Sequence, residues 1–479
     1  MDSSSQYCEQ LLRQTESRWH LVGIGGIGVS AIARILIGMG HDVRGSDVRE
    51  SQLTLALREE GADVRIGHAA AHLDGVDIVV ASTAIPKTNV ELVAAAEKGI
   101  PIVHRSHLLG AIIQQFSTAI GITGTHGKGT VSSSIAHILH ATDQDPSFLI
   151  GGLLLNHGTN AYLGKSPILV AEVDESDGSH ENVQPTHAVL NQLEMDHLNY
   201  YDSWSKLEDS MVGFSANNPR LQRFYVNLAD PGIQKILPRL QSEGVSVRSY
   251  GLEYDQADIW ACQLEPRRLP NGHLGGAMTV MQGEEELGRV EVQLPGRYNL
   301  SNMLAAITVC LDLGLEFDQI RSALQGFLGL ENRFTVVEAG SKFVVKDYIS
   351  HPTGIRRVLE GASYFKKRPI VAVFKPYRFT MINYLQDDYR DAFTGADHVL
   401  ITELYTAGEV PIPGIDTEFL CNKIRESGTK VTFVPEMNDI KEHLHTHHAG
   451  DGMVLFFGGD DLFTVADGYA DELGGVDHS

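Results

Sequence analysis

Few features of the chain suit a disulfide-stabilised, zinc-binding or membrane-spanning protein. The 479 residues include four cysteines, Cys8, Cys262, Cys310 and Cys421, and no C-x-x-C pair. This spacing argues against a zinc site and a disulfide framework. No apolar run approaches the ~18 residues of a membrane span, and the polar first residues lack the apolar core of a signal peptide. The sequence therefore predicts a cytoplasmic protein without a membrane span.

Positive charge is also scarce. Lysine and arginine together number 38 against 61 aspartates and glutamates, which gives a formal net charge of −23. A chain with this balance lacks the positive field that gathers nucleic-acid phosphates, so we expect no nucleic-acid partner. A phosphate-bearing ligand would instead require glycine-rich turns, single basic side chains or a metal ion.

The chain is rich in alternating strand-like and helix-like segments. They fall into three stretches, with predicted boundaries 1–108, 109–330 and 331–479. Alternation of this kind predicts α/β domains with largely parallel sheets. Ligands of such sheets gather at the carboxyl ends of the strands. We therefore expect binding residues directly after strands.

The first such position is a G-x-G-x-x-G pattern formed by Gly23, Gly25 and Gly28 between a strand and a helix. Ser46 and Asp47 end the next strand. Amides at a helix N-terminus suit a diphosphate. The pattern leaves open a dinucleotide, a nucleoside diphosphate sugar or a tight turn without a ligand.

A second glycine loop precedes the helix of the second stretch and reads Gly124, Thr125, His126, Gly127, Lys128, Gly129, Thr130. It does not fit the usual P-loop, because Gly129 follows Lys128 where that pattern has a hydroxyl residue. Lys128 offers a positive charge for a transferring phosphate, and Thr130 offers a hydroxyl group. Taken alone, the pattern also describes a surface turn with a lysine.

Acidic residues follow two apolar strands downstream of this loop. E-V-D-E-S-D occupies residues 172–177 and N-Q-L-E-M-D-H occupies residues 191–197. Carboxylates and a histidine at adjacent strand ends, beside a phosphate loop, favour a Mg²⁺ site. Considered singly, Glu175 and His197 fit a solvated acidic turn and a helix cap equally well.

The order of these motifs resembles the Mur ligases. Further motifs in the same order are G-R-Y-N-x-x-N, N-R-F, D-Y-x-x-H-P-T and A-G-E-V-P-I-P-G-I, and the resemblance runs from about residue 19 to about residue 465. It implies a three-domain α/β architecture: a Rossmann-like N-terminal domain, a central P-loop ATPase-like domain and a Rossmann-like C-terminal domain. The members that add alanine are the most similar.

The resemblance also implies an activity. The chain would be an ATP-dependent ligase that joins L-alanine to the carboxylate of UDP-N-acetylmuramate through an acyl phosphate, in peptidoglycan precursor synthesis. ATP and Mg²⁺ would be its cofactors, and UDP-N-acetylmuramate and a small amino acid its partners. A monomer or weak dimer is expected. A nicotinamide dehydrogenase would explain the first glycine pattern and leave everything after residue 120 unexplained.

Residue roles follow from the same resemblance. Lys128, Glu175 and His197 would be catalytic, and Thr130, Glu175 and His197 would bind metal. ATP would contact residues 124–130 together with Asn299, Arg333 and Asp347. The substrates would contact the remaining predicted residues, which are Gly23, Gly25, Gly28, Ser46, Asp47, His351 and Arg378.

Several positions of the third stretch depart from the alanine-adding pattern, among them Asn332, Ser350, Tyr377 and Met381. Ser350 stands where the family more generally has a histidine, and Met381 stands where it has an arginine. Methionine cannot pair with a carboxylate, so an anchor for the amino acid is missing unless Lys346 or Lys375 replaces it. The alternatives are a sister ligase with a different amine, another amino acid or a recycled peptide, and a weakened paralogue that binds the nucleotide sugar.

Overall fold

The computed structural model describes residues 3–14, 16–196, 200–269 and 273–477. The N-terminal segment contains a parallel five-stranded sheet. Its strands are β1 (Arg18–Val22), β2 (Asp42–Asp47), β3 (Asp63–Ile66), β4 (Ile78–Ala81) and β5 (Ile102–His104). Its helices are α1 (Ser3–Leu12), α2 (Ile27–Gly38), α3 (Gln52–Glu59), α4 (Val90–Lys98) and α5 (Arg105–Gln114).

The strand order of this first sheet is β3-β2-β1-β4-β5. Since β1 lies at the centre, the G-x-G-x-x-G loop that follows it emerges in the middle of the carboxyl edge of the sheet. Helix α2 buries Ile32, Ile35 and Leu36, the face that its sequence spacing predicts. A buried amide, Asn160, donates to the Ile27 carbonyl at 2.7 Å and ties α2 to the following segment.

The middle segment contributes a ten-stranded sheet. Its first five strands are β6 (Thr118–Thr123), β7 (Ser147–Leu154), β8 (Thr159–Tyr162), β9 (Ile168–Glu172) and β10 (His187–Leu190). The others are β11 (Arg223–Asn227), β12 (Val247–Leu252), β13 (Ile259–Arg268), β14 (Leu274–Gln282) and β15 (Glu285–Val292). The helices are α6 (Lys128–Ala141), α7 (Trp204–Ala216), α8 (Pro231–Ser242), α9 (Arg297–Asp312) and α10 (Phe317–Gln325).

The strand order of the second sheet is β15-β14-β13-β12-β11-β10-β6-β9-β7-β8. Strand β6 therefore lies between β10 and β9, and it runs parallel to both. The second glycine loop follows β6, and the two acidic motifs follow β9 and β10. The prediction that these three segments meet at one sheet edge is confirmed by this order.

The C-terminal segment forms a seven-stranded sheet in the order β20-β19-β18-β21-β17-β16-β22. Its strands are β16 (Arg333–Ala339), β17 (Lys342–Asp347), β18 (Ile370–Phe374), β19 (His398–Ile401), β20 (Val431–Phe433), β21 (Gly452–Phe457) and β22 (Gly475–Asp477). Its helices are α11 (Pro352–Ser363), α12 (Phe379–Ala392), α13 (Thr417–Arg425), α14 (Asp439–His447) and α15 (Asp460–Glu472). Strands β16 and β17 form an antiparallel hairpin.

Two compact units result. Unit 1 comprises Met1–Cys262, Thr279–Arg289 and Ser301–Phe327, and unit 2 comprises Gln263–Met278, Val290–Leu300 and Leu328–Ser479. Among the described residues, no helix combines the length and the apolar character needed to cross a bilayer. The α/β class predicted from alternation is confirmed, whereas the boundaries at residues 108 and 330 stay predictions.

One helix begins earlier than its sequence suggests. The pattern predicts a start near Asn299 or Ser301, but α9 begins at Arg297. Gly296 has a φ of +92°, a conformation that glycine adopts at little cost. The chain therefore turns into the helix directly after Gly296.

Candidate active site

The loop between β6 and α6 depends on two glycines with positive φ. Gly124 has a φ of +114° and Gly127 a φ of +81°. A Cβ atom on Gly127 would lie 2.4 Å from both Asn191 Nδ2 and Asn302 Oδ1. Only glycine combines this conformation with so close an approach, so the loop requires Gly127 for its shape.

A buried amide holds the loop from below. Asn191, which follows β10, donates from Nδ2 to the His126 carbonyl at 2.9 Å and to Asn302 Oδ1 at 2.8 Å. Its Oδ1 accepts a hydrogen bond from the Tyr250 hydroxyl at 2.7 Å. Both the Nδ2 group and the Oδ1 atom of this side-chain amide are therefore hydrogen-bonded.

Lys128 begins α6 and points into a ring of acidic side chains. Its Nζ donates to the Gly124 carbonyl at 2.9 Å and lies 2.9 Å from Glu175 Oε2. Burial opposes the charge of Lys128, but the nearby carboxylates of Glu175, Asp174 and Glu172 raise its pKa above the ordinary value. Lys128 is therefore a charged residue at neutral pH, at the base of the loop.

The acidic segment after β9 divides into two roles. Glu175 is 1% exposed, and its side chain faces Lys128. Asp174 instead accepts from Arg105 Nη2 at 2.9 Å. Burial opposes the charge of Asp174, but Lys128 and Arg105 hold its pKa well below the usual range. Asp174 is therefore ionised at neutral pH.

Arg105 is a site residue that the sequence motifs do not reveal. It begins α5, directly after β5, and its Nη1 would lie 3.7 Å from a Cβ atom built on Gly28. The guanidinium thus lies beside the first turn of α2 and bonds to the acidic segment after β9. The only sequence signal is a basic residue at the carboxyl end of a parallel strand.

The remaining loop residues are placed as follows. Thr125 is buried, and its Oγ1 accepts from the Glu194 amide at 3.3 Å. His126 contacts the Glu194 carboxylate through Nε2. Thr130 is half-buried in the first turn of α6, about 200° around the helix axis from Lys128. His197 lies outside the described residues, so its metal-binding role stays a prediction.

The first backbone amides of the β1–α2 loop are already hydrogen-bonded to the end of β2. The amides of Gly23 and Ile24 donate to the Ser46 carbonyl at 2.8 and 3.0 Å, and the Gly25 amide donates to Asp47 Oδ2 at 2.9 Å. The first-turn amides of an α-helix lack intrahelical partners. A diphosphate here would therefore meet the first turn of α2, which includes Gly28, with Arg105 beside it.

Ser46 has a different setting from the one its motif suggests. It is fully buried, and its hydroxyl donates to Glu91 Oε2 at 2.5 Å. Glu91 also contacts His20, His68 and His72. Burial opposes the charge of Glu91, but hydrogen bonds from His20 and Ser46 bring its pKa to about 2. Ser46 therefore fixes a buried polar cluster beneath the carboxyl edge of β2.

In unit 2, Arg333 and Asp347 face each other across the β16–β17 hairpin. Asp347 is 5% exposed and accepts from the Phe334 amide at 3.1 Å. Burial raises its pKa to about 6, against the lowering effect of Arg333. Arg333 is exposed and donates to the Tyr348 carbonyl at 2.5 Å. The sequence names both residues without indicating that they are opposed.

The other predicted residues of unit 2 lie at helix starts. His351 caps α11, where its Nδ1 accepts from the Thr353 amide at 3.3 Å. Arg378 precedes α12 with a φ of +64°, and its guanidinium lies 4.9 Å from the centre of the Tyr377 ring. Asn299, in the first turn of α9, donates to the Pro295 carbonyl at 2.8 Å.

The substituted positions lie in the same domain. Met381 is half-buried and packs against the apolar core of unit 2. The Ser350 carbonyl accepts from the Tyr389 hydroxyl at 2.7 Å. Lys346 pairs with Asp467 at 2.6 Å, and Lys375 pairs with Asp461. Both lysines that could replace the missing anchor are thus engaged with aspartates of α15.

Comparison with known families places these features together. Residues 18–117 match "Mur ligase family, catalytic domain", residues 122–310 match "Mur ligase middle domain" and residues 332–460 match "Mur ligase, glutamate ligase domain". The chain belongs to the Mur ligase family. The expected three-domain architecture is confirmed by these matches and by the three sheets.

Individual relatives span nearly the whole chain. The UDP-N-acetylmuramate–L-alanine ligase of Anaeromyxobacter sp. (strain Fw109-5) is 37% identical over 94% of this chain and 97% of its own. The enzyme of that name from Dichelobacter nodosus is 38% identical over 93% of both chains. The solved UDP-N-acetylmuramate–alanine ligase of Thermotoga maritima covers 95% of this chain and 99% of its own with a TM-score of 0.79 at 23% identity. At that identity the structural likeness concerns the fold.

Proposed function

We propose that the chain is an ATP-dependent ligase that joins L-alanine to the carboxylate of UDP-N-acetylmuramate, in cytoplasmic peptidoglycan precursor synthesis. A muramoyl carboxylate oxygen attacks the γ-phosphorus of ATP, and ADP leaves. The alanine amine then attacks the acyl carbon, phosphate leaves, and the nitrogen releases a proton as the amide forms. Relatives named for this reaction match 93–94% of the chain, and the geometry of unit 1 fits the first step.

The observation that carries the proposal is the buried Lys128. It begins a helix behind a glycine loop, 2.9 Å from Glu175, at the point where an ATP phosphate chain would meet the helix N-terminus. A fixed cation at this point neutralises charge that develops as the phosphoryl group transfers. Binding of a phosphate would draw Lys128 partly away from Glu175.

The acidic donors near Lys128 fit Mg²⁺. Carboxylate and hydroxyl oxygens are the ligands this ion prefers, and Glu175 lies within the ring of acidic side chains, with Thr130 and His197 as the other predicted ligands. When bound, Mg²⁺ would neutralise phosphate charge and polarise the transferring group. Glu175 would then exchange its contact with Lys128 for one with the ion.

The N-terminal domain, residues 1–108, would hold the UDP end of the substrate. Its diphosphate would lie on the first turn of α2 beside Arg105, with Gly28 permitting the approach. Because Arg105 also bonds to Asp174, it would link the sugar nucleotide to the acidic segment of the central domain, residues 109–330. The C-terminal domain, residues 331–479, would deliver the amino acid. The enzyme would act as a monomer or weak dimer.

The test is amine-dependent phosphate release by the full chain. ATP, Mg²⁺ and UDP-N-acetylmuramate are supplied with L-alanine, glycine, L-serine or an alanine-led peptide. We expect L-alanine to give the highest kcat/KM, about tenfold above that of glycine, since one methyl group contributes up to a few kcal/mol to discrimination. Binding of UDP-N-acetylmuramate without phosphate release would indicate a non-catalytic paralogue.

One observation favours a different amine. Met381 packs against the core of unit 2, and Lys346 and Lys375 are paired with aspartates. The carboxylate of a small amino acid therefore has fewer basic partners here than the family pattern supplies. Phosphate release that occurs with the peptide and with none of the single amino acids would establish this second candidate.

A further inference from the structure

Three histidines lie close together at the amino-terminal ends of the parallel strands in unit 2. His398 is the first residue of β19, His443 lies in α14, and His448 follows the last residue of that helix. One ring nitrogen from each lies within 4.8 Å of those of the other two. His398 is 3% exposed, and the other two are half-buried. We call these residues the histidine triad.

Among the described residues, the hydrogen bonds of the triad leave one buried ring nitrogen without a partner. His398 Nε2 lies 2.8 Å from the Thr432 hydroxyl, and its Nδ1 lies 2.8 Å from His448 Nε2. His443 Nε2 is buried and has no hydrogen-bond partner among the described residues. A buried polar atom without a partner carries a free-energy cost that a ligand would remove.

We propose that the histidine triad is a binding site for a divalent transition-metal ion of the zinc class. Imidazole nitrogens suit such ions, and three histidines with an open fourth position is a known zinc arrangement. The contact of His398 Nε2 with Thr432 is the outer hydrogen bond that metal-binding histidines usually make. It fixes the His398 ring so that Nδ1 faces the other two residues.

The ionisation of the triad supports metal binding. Burial, Lys430 and the neighbouring histidines lower the pKa of both His398 and His448 to about 4. Burial and His447 also lower the pKa of His443. Neutral imidazoles are the metal-binding form, so no proton has to be removed at neutral pH. On binding, the ion would replace the hydrogen bond between His398 and His448, and His448 would carry its proton on Nδ1.

The triad is separate from the proposed amino-acid site of the same domain. Lys375 and Arg378 follow the carboxyl end of β18, whereas His398 begins the parallel strand β19 and pairs with Val371 near the start of β18. The two positions are therefore at opposite edges of the sheet, about one strand length or ~15 Å apart. The ion would fasten the end of α14 to the sheet and would take no part in the ligation.

Zinc binding by the full chain tests the proposal. The protein is stripped with a chelator and titrated calorimetrically with Zn²⁺ in excess Mg²⁺, which occupies oxygen-rich sites. We expect about one equivalent of Zn²⁺ to bind at the triad and to raise the midpoint of thermal unfolding. His443→Gln and His448→Gln should each weaken binding at least about tenfold and remove the thermal shift. The proposal would be overturned if the wild type bound no Zn²⁺, or if both variants bound Zn²⁺ as tightly as the wild type.

Two matched controls separate the triad from histidines on the surface of α14. His445 is paired with Glu472, so His445→Gln should leave zinc binding unchanged. His447 is exposed and one helical turn from His443, so the two could chelate an ion on the helix surface. Loss of binding in His447→Gln with retention in His448→Gln would assign the ion to that surface pair and overturn the proposal.

Lys430 provides a variant that should strengthen binding. Its charge lowers the pKa of all three triad histidines, so it also repels a cation. Lys430→Gln should tighten zinc binding by about threefold or more, as expected for removal of one like charge near the surface. Unchanged or weaker binding would argue that the ion does not reside at the triad. Ligase turnover should be the same in all these variants.

Discussion

Unit 1 and unit 2 each bring a basic and an acidic site residue together, and they do so in opposite ways. In unit 1, Lys128 is enclosed and lies 2.9 Å from Glu175. In unit 2, Arg333 is exposed and bonds to a backbone carbonyl, while the buried Asp347 accepts from a backbone amide. The first pair is a direct ion pair, and the second is an opposed pair without that contact.

The difference affects how each pair responds to pH. Carboxylates around Lys128 raise its pKa above the ordinary value, so this residue is charged at neutral pH. Asp347 has burial as its dominant influence, and its pKa of about 6 places its titration near neutrality. Direct pairing fixes a buried charge, whereas burial without it creates a titrating group. We therefore expect pH sensitivity to originate in unit 2.

The largest effect is expected from Lys128→Ala. Removing the cation at the base of the glycine loop should lower kcat by about a thousandfold or more, while calorimetric binding of UDP-N-acetylmuramate survives. Lys206→Ala, which removes an exposed lysine paired with Asp202, is the matched control. Turnover retained by Lys128→Ala would refute the placement of this residue in the reaction.

A double variant separates chemistry from stability. Lys128→Ala leaves the buried Glu175 without its lysine, which should lower the free energy of unfolding by about 3 kcal/mol. Adding Glu175→Gln should restore part of that stability in urea denaturation without restoring turnover. Recovery of turnover in the double variant would mean that Lys128 acts on stability alone.

The next largest effect should come from Gly127→Ala. A Cβ atom there would meet Asn191 and Asn302 at 2.4 Å and displace the loop, which should lower kcat by about a hundredfold. Gly158 also has a positive φ, +64°, with open space around it. Steady-state kinetics should therefore show wild-type kcat for Gly158→Ala. Equal losses in the two variants would point to backbone strain and not to the loop contact.

A smaller effect distinguishes the buried carboxylate of unit 2. The folded-state pKa of Asp347 exceeds its ordinary value of 3.8, so its contribution to stability is complete below about pH 4 and is lost as the pH rises through about 6. Between pH 4 and pH 7 the free energy of unfolding of the wild type should fall by up to about 3 kcal/mol relative to that of Asp347→Asn. Urea denaturation at several pH values measures this difference. Parallel curves would show that Asp347 does not titrate in this range.

The control for this pH series is Asp387→Asn. Asp387 is 79% exposed and lies 3.6 Å from Lys423. Loss of such a surface pair changes stability by less than about 1 kcal/mol. We expect this variant to follow the wild-type pH curve with a small, constant offset.

The smallest effect is expected from Lys346→Ala. Lys346 pairs with Asp467, so its loss should leave the KM for L-alanine within about twofold of the wild-type value, a difference under about 0.5 kcal/mol. A rise of tenfold or more, on the order of 1.4 kcal/mol, would show that Lys346 leaves Asp467 to bind the amino-acid carboxylate. Unit 2 would then contain the missing anchor.

The sequence predicts the Lys128 site because its parts follow neighbouring parallel strands. β6 and β9 end beside each other, so the glycine loop and the segment with Glu175 had to meet. Arg105 was not predictable in this way, because its partner Asp174 follows a strand of another sheet. The opposition of Arg333 and Asp347 depends on hairpin register, which shifts between Arg333 and Thr335.

Burial explains the other differences between sequence and structure. Ser46 follows a motif that suggests contact with substrate, but its hydroxyl is bound to Glu91 inside the domain. The motif indicates where the strand ends but not the direction of the Ser46 side chain. That direction depends on the position of the buried Glu91 carboxylate of α4. The strand order of the third sheet likewise depends on long-range contacts that alternation alone does not specify.

The shape of the glycine loop is inherited from parts of the chain far from it. Asn191 accepts a hydrogen bond from the Tyr250 hydroxyl, and it donates hydrogen bonds to Asn302 and to the His126 carbonyl. A substitution at Tyr250 can therefore inactivate the enzyme without touching any ligand. In a genetic selection for lost activity, inactivating substitutions should occur at Tyr250 and Asn302 as well as in the loop. Compensating substitutions should occur in the same buried cluster.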